Sequence, residues 1–409
     1  SGYAYNSITI TNSSGTEVGK VANGKSLGLS SLSDGTYNVT VSAYSLGWNP
    51  NPRAYAAYSI SCTFSFVVDT TAPTISGAST STTGKYTNSA FTVYASDNRS
   101  VENLYMMAPN VSYYSAVGTS KTVTAGSANG LYRFYAKDKA GNQSSTYYVY
   151  YDNTLPTGTI KNASGTTLTS SYVNTSFYYT ATDTGGISYL QYKTPSSSSW
   201  TTYTSGSTIS SSATNGTYIF RAIDKAGNYS AEKKITLDTA KPTGTIYGGT
   251  SVISNGGMTN ASYIKFVGAD SLSGVSAMYV KVPNSSSYAS CSSGTQYSVD
   301  GVYRFYCVDN AGNASATYIV TLDKTAPSLI CSQTGFYSTY QYGFTVSTSD
   351  TVGAEKLYYK TPMTTAYSLA NGTSYSVTDA MTNGKYYFYA VDEAGNQSVA
   401  AWINLNIEY

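Results

Sequence analysis

Four sets of three aspartates carry the clearest chemical signal in this 409-residue sequence: Asp69, Asp97 and Asp138; Asp152, Asp183 and Asp224; Asp238, Asp270 and Asp309; Asp323, Asp350 and Asp392. They hold 12 of the 21 acidic residues. Carboxylates converging beside backbone carbonyls and Asn side chains suit a hard cation, and Ca²⁺ takes about 6–8 oxygen ligands of this kind. The competing reading is that Asp before a Gly or Asn turn is only a turn former, neutralised by Lys139, Lys225, Lys241 or Lys324. A second set is aromatic: Tyr105 with Tyr135, Tyr279 with Tyr306, and Tyr358 with Tyr389. Outward Tyr pairs stabilise a Ser/Thr-rich sheet. They could also stack against sugar rings or make lateral contact with another chain.

Composition closes off most other chemistry. The chain has no His, which excludes a Ser-His-Asp triad, His-tuned proton transfer near neutral pH and His-ligated zinc or iron. Only 11% of residues are charged, yet 41% are hydrophobic and 14% aromatic, too apolar for a disordered chain. The net charge of +2 with no basic run argues against nucleic acid or an anionic membrane as partner. No stretch approaches the roughly 18 apolar residues of a membrane span. The start, Ser1-Gly2-Tyr3, has no basic-then-apolar signal, so any targeting segment is expected to have been removed or to lie outside this sequence.

The elements that must position these residues repeat. Asp-x-x-x-Pro recurs with prolines at 73, 156, 242 and 327, a period of about 85 residues and the size of one small sandwich domain. Inside each period D-x-A-G-N recurs, from Asp138, Asp224, Asp309 and Asp392. Upstream, an Asn-Gly or Asp-Gly turn precedes Tyr132, Tyr218, Tyr303 or Tyr386 by two residues. Each such Tyr opens a strand in which period 2 buries Tyr132, Phe134 and Ala136, or their counterparts, and turns Tyr135, Tyr306 and Tyr389 outward. Helical periodicity is absent, and a Tyr opening the penultimate strand matches the tyrosine corner of immunoglobulin-like sandwiches. The sequence therefore predicts an all-β tandem array of immunoglobulin-like Greek-key β-sandwiches, with units at 1–68, 69–151, 152–237, 238–322 and 323–409. That topology places the start of strand A, the B–C turn and the F–G turn at one pole. The three Asp of each set would meet there.

Val-Asp-Thr-Thr-Ala-Pro-Thr at 68–74 and the A-x-D-x-A-G-N-x-S stretches at 136–144, 222–230 and 390–398 resemble the tandem bacterial immunoglobulin-like domains of secreted and cell-surface proteins. The resemblance covers about residues 69 to 409. It implies a stalk or adhesin arm, extracellular or at the cell surface, and some members of that family bind calcium at inter-domain joints.

The first unit departs from the pattern. From the corner Tyr to the next linker Asp is 20 residues in three units but 32 from Tyr37 to Asp69. An insertion of about 12 residues, around Leu46-Gly-Trp48-Asn-Pro50-Asn-Pro52, is expected in its F–G turn in place of D-x-A-G-N. Only 36 residues precede Tyr37, so strands A and B are expected to be missing. One reading is a variant domain completed by sequence outside this chain. The other is strand complementation, in which a neighbouring copy donates a strand to residues 1–68 and a filament results.

Weaker features complete the picture. Cys307 replaces the inward Ala of strand F and reads as a small buried hydrophobe. Cys291 could bridge to it, but free thiols fit better. The N-x-S/T sequons follow from composition, and nothing positive marks a Lys–Asn cross-link. The expected function is non-enzymatic: an extracellular structural or adhesive segment, stalk or filament subunit, whose partners are other copies of itself, a host or matrix protein, or a glycan. The competing class is a polysaccharide-binding accessory module of a secreted enzyme.

Overall fold

The computed structural model describes residues 3–22, 25–49, 54–77, 85–352 and 355–408. Among the described residues the regular structure is all strand.

The third unit shows the plan. Strands A (Thr157–Asn162), B (Phe177–Thr182) and E (Thr208–Ile209) form one sheet in the order A–B–E. Strands A′ (Tyr172–Val173), G (Lys233–Leu237), F (Gly216–Asp224), C (Ile187–Lys193) and C′ (Thr201–Tyr203) form the other, in that order. Every pairing is antiparallel except A′ with G, which is parallel. The chain thus leaves the A–B–E sheet after A, touches G as A′, and returns as B. The same two sheets recur within 74–151, 243–322 and 328–405, with one extra strand beside A in the fourth unit. These are immunoglobulin-like β-sandwiches in tandem.

Alternation builds each core. On strand F, Tyr218, Phe220 and Ala222 are buried against Phe177 and Ile235, while Ile219 and Arg221 between them are half-buried on the other face. Phe134, Phe220, Phe305 and Phe388 are fully buried, each contributing on the order of 2–3 kcal/mol. The corner tyrosine is tied in the same way in all five units. Its hydroxyl donates to the carbonyl four residues earlier: Tyr37 to Ser33, Tyr132 to Ala128, Tyr218 to Thr214, Tyr303 to Val299 and Tyr386 to Thr382, at 2.8–3.0 Å. Two residues before the corner, Gly130, Gly216, Gly301 and Gly384 adopt φ of 133–137°. A Cβ there would come within 2.6–2.8 Å of the Cβ of Pro109, Pro195, Pro283 or Pro362, so glycine is required both by the dihedral and by the stacked proline.

Among its described residues the first unit has one sheet, not two. Its strands Glu17–Ala22, Tyr3–Asn12, Gly35–Asn49 and Ala54–Val68 lie in that order, equivalent to C′, C, F and G. No A, A′ or B strand occurs among its described residues. The insertion expected in the F–G turn lies between the ends of two long paired strands. Gly35–Asn49 and Ala54–Val68 stay in register from Gly35 with Val68 to Asn49 with Ala54, so the insertion lengthens the F–G hairpin. Pro50 and Pro52 lie outside the described residues. Ile10, Tyr37 and Val39 are covered by Leu27 and Leu32 of the preceding segment. Farther along the same face, Val41, Ile60 and Phe64 are exposed.

Candidate functional site

The predicted aspartate sets assemble. In each, one carboxylate oxygen from every residue lies within 4.8 Å of the others: Asp69, Asp97 and Asp138; Asp152, Asp183 and Asp224; Asp238, Asp270 and Asp309; Asp323, Asp350 and Asp392. The first comes from the linker, the second follows strand B, and the third ends or follows strand F.

Each aspartate serves its own turn as well. Linker Asp152, Asp238 and Asp323 accept through Oδ1 from the amides of Thr154, Ala240 and Thr325, at 2.9–3.0 Å. At the B–C turn, Asp97 Oδ1 accepts from the amides of Arg99 and Ser100, Asp183 Oδ1 from Gly185 and Gly186, and Asp270 Oδ1 from Leu272, Ser273 and Gly274. At the F–G turn, Asp138, Asp224, Asp309 and Asp392 take the amide and side-chain nitrogens of Asn142, Asn228, Asn313 and Asn396. At the linker and B–C turn aspartates Oδ1 caps the turn, whereas at Asp138, Asp224, Asp309 and Asp392 the turn asparagine donates to both oxygens. Asp97 Oδ2, Asp323 Oδ2 and Asp350 Oδ2 are buried and have no hydrogen-bond partner, and Asp323 is fully buried. At the second joint a Cβ on Gly185 would collide with Asp152 Oδ2, so the bare backbone leaves that carboxylate room.

Lysine does not neutralise these groups. Lys324 pairs with Asp300 at 3.4 Å, and Lys225 lies over the Tyr86 ring at 5.4 Å. None of the twelve aspartates forms an ion pair among the described residues. Burial raises the Asp183 carboxyl above its ordinary value, helped by the charges of Asp152 and Asp224. Asp323 is raised likewise by burial and by Asp350, Asp392 and Asp300. Asp270 goes the other way: burial pushes it up, but the amides of Gly274, Leu272 and Ser273 outweigh that and hold it low. Asp138 is also held low, by Asn142 and the turn amides against burial. At the third joint the amide of Ser273 also reaches Asp238 Oδ2.

Two side chains at each joint were not singled out from sequence. The Asn of D-x-A-G-N reaches across the linker: Nδ2 of Asn142, Asn228, Asn313 and Asn396 donates to the carbonyl of Asp69, Asp152, Asp238 and Asp323, at 2.8–2.9 Å. The Asx before the corner glycine clips the segment that leaves strand G, which in the first four units is the next linker. Asn129, Asn215, Asp300 and Asn383 each accept the amide 24 residues on, and Asp34 accepts from Thr70 and Thr71. These contacts hold the Asp34 carboxyl low, at about 2. The unit before contributes too: the amides of Asp152, Asp238 and Asp323 donate to Thr87, Val173 and Thr259 at the ends of the A′ strands. The signal was present, a fixed 24-residue spacing from Asx-Gly to linker.

The outward tyrosines also meet, but on one another. Tyr105 and Tyr135, Tyr279 and Tyr306, and Tyr358 and Tyr389 stack at 4.8 Å. Tyr114, Tyr288 and Tyr367 close each pair edge-on. All six stacked rings are half-buried, so they are less open than their outward positions suggest. In the third unit Gln191 and Arg221 take the paired positions, and the guanidinium lies over Trp200 at 4.1 Å and Tyr229 at 4.8 Å. Cys307 is buried and free, and so is half-buried Cys291. They flank Met278 on neighbouring strands, two strand spacings or about 9.5 Å apart, beyond the roughly 7 Å Cα limit of a disulfide.

No protein-family profile and no curated protein sequence matches the chain. Among solved structures it is similar to a tetra-tandem repeat from the extending region of a large adhesion protein, at 17% identity over 82% of this chain and 100% of that one, with a TM-score of 0.25. It is similar to the fibronectin(III)-like modules of Clostridium thermocellum CbhA at 15% identity, over 40% of this chain and 93% of that one, with a TM-score of 0.24. Sidekick-1 immunoglobulin domains 1–5 overlap 98% of this chain and 92% of their own at 12% identity, with a TM-score of 0.23. These overlaps are weak over whole chains, and the fold assignment rests on the strand topology. Among the described residues no helix is long and apolar enough to cross a membrane.

Proposed function

We propose that this chain is a non-enzymatic structural or adhesive segment of an extracellular bacterial surface protein, whose joints are stiffened by bound Ca²⁺. The observation that carries the cation is the fully buried Asp323, whose Oδ2 has no partner and faces Asp350 and Asp392. Burying several carboxylates together is costly unless a cation or protons compensate them. An all-oxygen set suits a hard ion, and Asp323, Asp350 and Asp392 would hold it at the fourth joint. The spacer role is supported by repetition: the same linker contacts recur joint after joint, which fits load-bearing better than a single reaction centre. Self-stacked Tyr pairs favour support of the sheet over a sugar platform.

Calorimetric titration of the chelator-treated chain with Ca²⁺, followed by small-angle scattering with and without the ion, tests this reading. Saturable binding with a longer, narrower distribution of end-to-end distances is expected. Identical scattering and melting in chelator and in excess Ca²⁺ would remove the metal from the proposal.

A further inference from the structure

We infer that strand Ala54–Val68 of the first unit is an open edge through which two copies of this chain pair, antiparallel, about a two-fold axis.

The edge lacks a neighbour that its counterparts have. In the other four units strand G is flanked by A′, whereas among the described residues Ala54–Val68 is the last strand of its sheet. It is fifteen residues long, while other outer strands among the described residues reach six at most. Short length, charge, proline and bulges are the devices by which natural sheets keep their edges from pairing. This edge uses none of them. Ala-Tyr-Ala-Ala-Tyr-Ser-Ile-Ser-Cys-Thr-Phe-Ser-Phe-Val-Val contains no charged residue, proline or glycine, and its register with Gly35–Asn49 is unbroken. The opposite edge of the same sheet, Glu17–Ala22, carries Glu17 and Lys20 and faces a register shift.

The face behind the edge is also open. Val41 and Phe64, at positions the A–B–E sheet covers in the other units, and Ile60 in the lengthened part of the hairpin are 37%, 55% and 73% exposed. The opposite face is hydroxylic, with Thr40 and Thr63 in contact at 2.9 Å. Antiparallel pairing joins like face to like face, so two copies make one eight-stranded sheet with a continuous apolar side. A strand meeting its own copy antiparallel is self-complementary, and a two-fold closes the assembly at the dimer. At about 3.4 Å per residue the edge is roughly 50 Å long; with a sheet thickness near 10 Å it covers on the order of 500 Å² per copy. A standard stable interface covers about 800 Å² per partner, so the dimer is expected to form and dissociate with concentration.

Ser61 is the eighth of the fifteen residues and faces its own copy at the axis. Sedimentation of the full chain over a wide concentration range reads the dimer. Ser61→Lys and Ser61→Glu, each alone, are expected to weaken it roughly ten-fold through like charges directly opposite, and their equimolar mixture to restore it. A second measurement does not depend on these variants folding: a short bis-maleimide is expected to join Cys62 to Cys62 in the native chain and not in Cys62→Ser. A wild-type chain that stays monomeric, or a mixture that fails to restore pairing, overturns the edge. Growth into open polymers overturns the two-fold and indicates a donated strand instead. None of these outcomes depends on whether the joints bind Ca²⁺.

Discussion

Asn396 Nδ2 donates to the main-chain carbonyl of Asp323, 2.8 Å away and 73 residues earlier in the chain. The same nitrogen donates to Asp392 Oδ2 at 2.8 Å, so one carboxamide ties the F–G turn to the linker that opens its own unit. With the Asp323 amide held by Thr259 of the unit before, the linker peptide is fixed from both sides.

Removing that carboxamide leaves a carbonyl and a carboxylate oxygen short of a donor. Asn396→Ala is expected to cost the fifth unit about 1–3 kcal/mol, the range for orphaning buried acceptors. Differential scanning calorimetry should show one transition moving down by several degrees while the others stay. An unchanged thermogram would mean the contact is incidental.

Asp323→Asn separates the cation from the turn. Asn keeps the Oδ1 cap on Thr325 and removes a buried charge. The chelator-treated variant is expected to melt higher than wild type, and Ca²⁺ to stabilise it less. Terbium emission sensitised by nearby tyrosines reports the occupancy. A variant that binds terbium at the fourth joint as tightly as wild type contradicts the assignment.

The pH dependence has a definite sign. Asp183 and Asp323 have folded values above the ordinary 3.8. In the folded state they bind protons more tightly than unfolded, so the metal-free chain gains stability as pH falls from neutral through those values toward 3.8. Asp138, Asp270 and Asp34 lie below 3.8, so what they contribute is present above it and is lost below, for Asp34 near 2. Denaturant melts in chelator should therefore show stability rising on mild acidification and falling under strong acid. Added Ca²⁺ should reverse the first limb, since protons compete for the same oxygens. A chelated protein whose stability falls steadily from neutral pH downward would contradict the buried-carboxylate account.

Gly384→Ala tests the proline stack. With φ at 137° and Pro362 Cβ 2.8 Å from the new methyl, the cost is expected to be about 1–3 kcal/mol. Pro362→Gly in the same chain, which removes the contacted Cβ, should return the steric part and leave the dihedral part, which a double-mutant cycle reads as coupling. Strict additivity would show that the contact does not matter.

The legible part of this chain was what recurs locally. Tyr132, Phe134 and Ala136 announce an inward strand face by period 2, and D-x-A-G-N announces its turn, so the aspartate sets followed once topology brought three turns to one pole. Less legible were contacts between residues that look unremarkable alone. Asn129 reads as half of an Asn-Gly turn, and only the fold shows its side chain holding the amide of Asn153. Tyr114, Trp200, Tyr288 and Tyr367 each stand five residues after a proline, a spacing visible in sequence whose meaning depends on the outward face they close. The insertion in the first unit's F–G turn is legible as extra length, but that its flanks extend the hairpin in unbroken register is visible only in the fold.

Tension on this protein would enter a unit at strand A and leave through strand G. In four units the end of strand G pairs in parallel with A′: Tyr86 and Tyr150, Tyr172 and Thr236, Met258 and Thr321, Thr339 and Asn404. Because the paired strands run the same way and are pulled from opposite ends, their hydrogen bonds are loaded together in shear instead of being peeled off one at a time. Under the proposed load-bearing role, the short A′ strand, two or three residues in each of these four units, would serve as a mechanical latch.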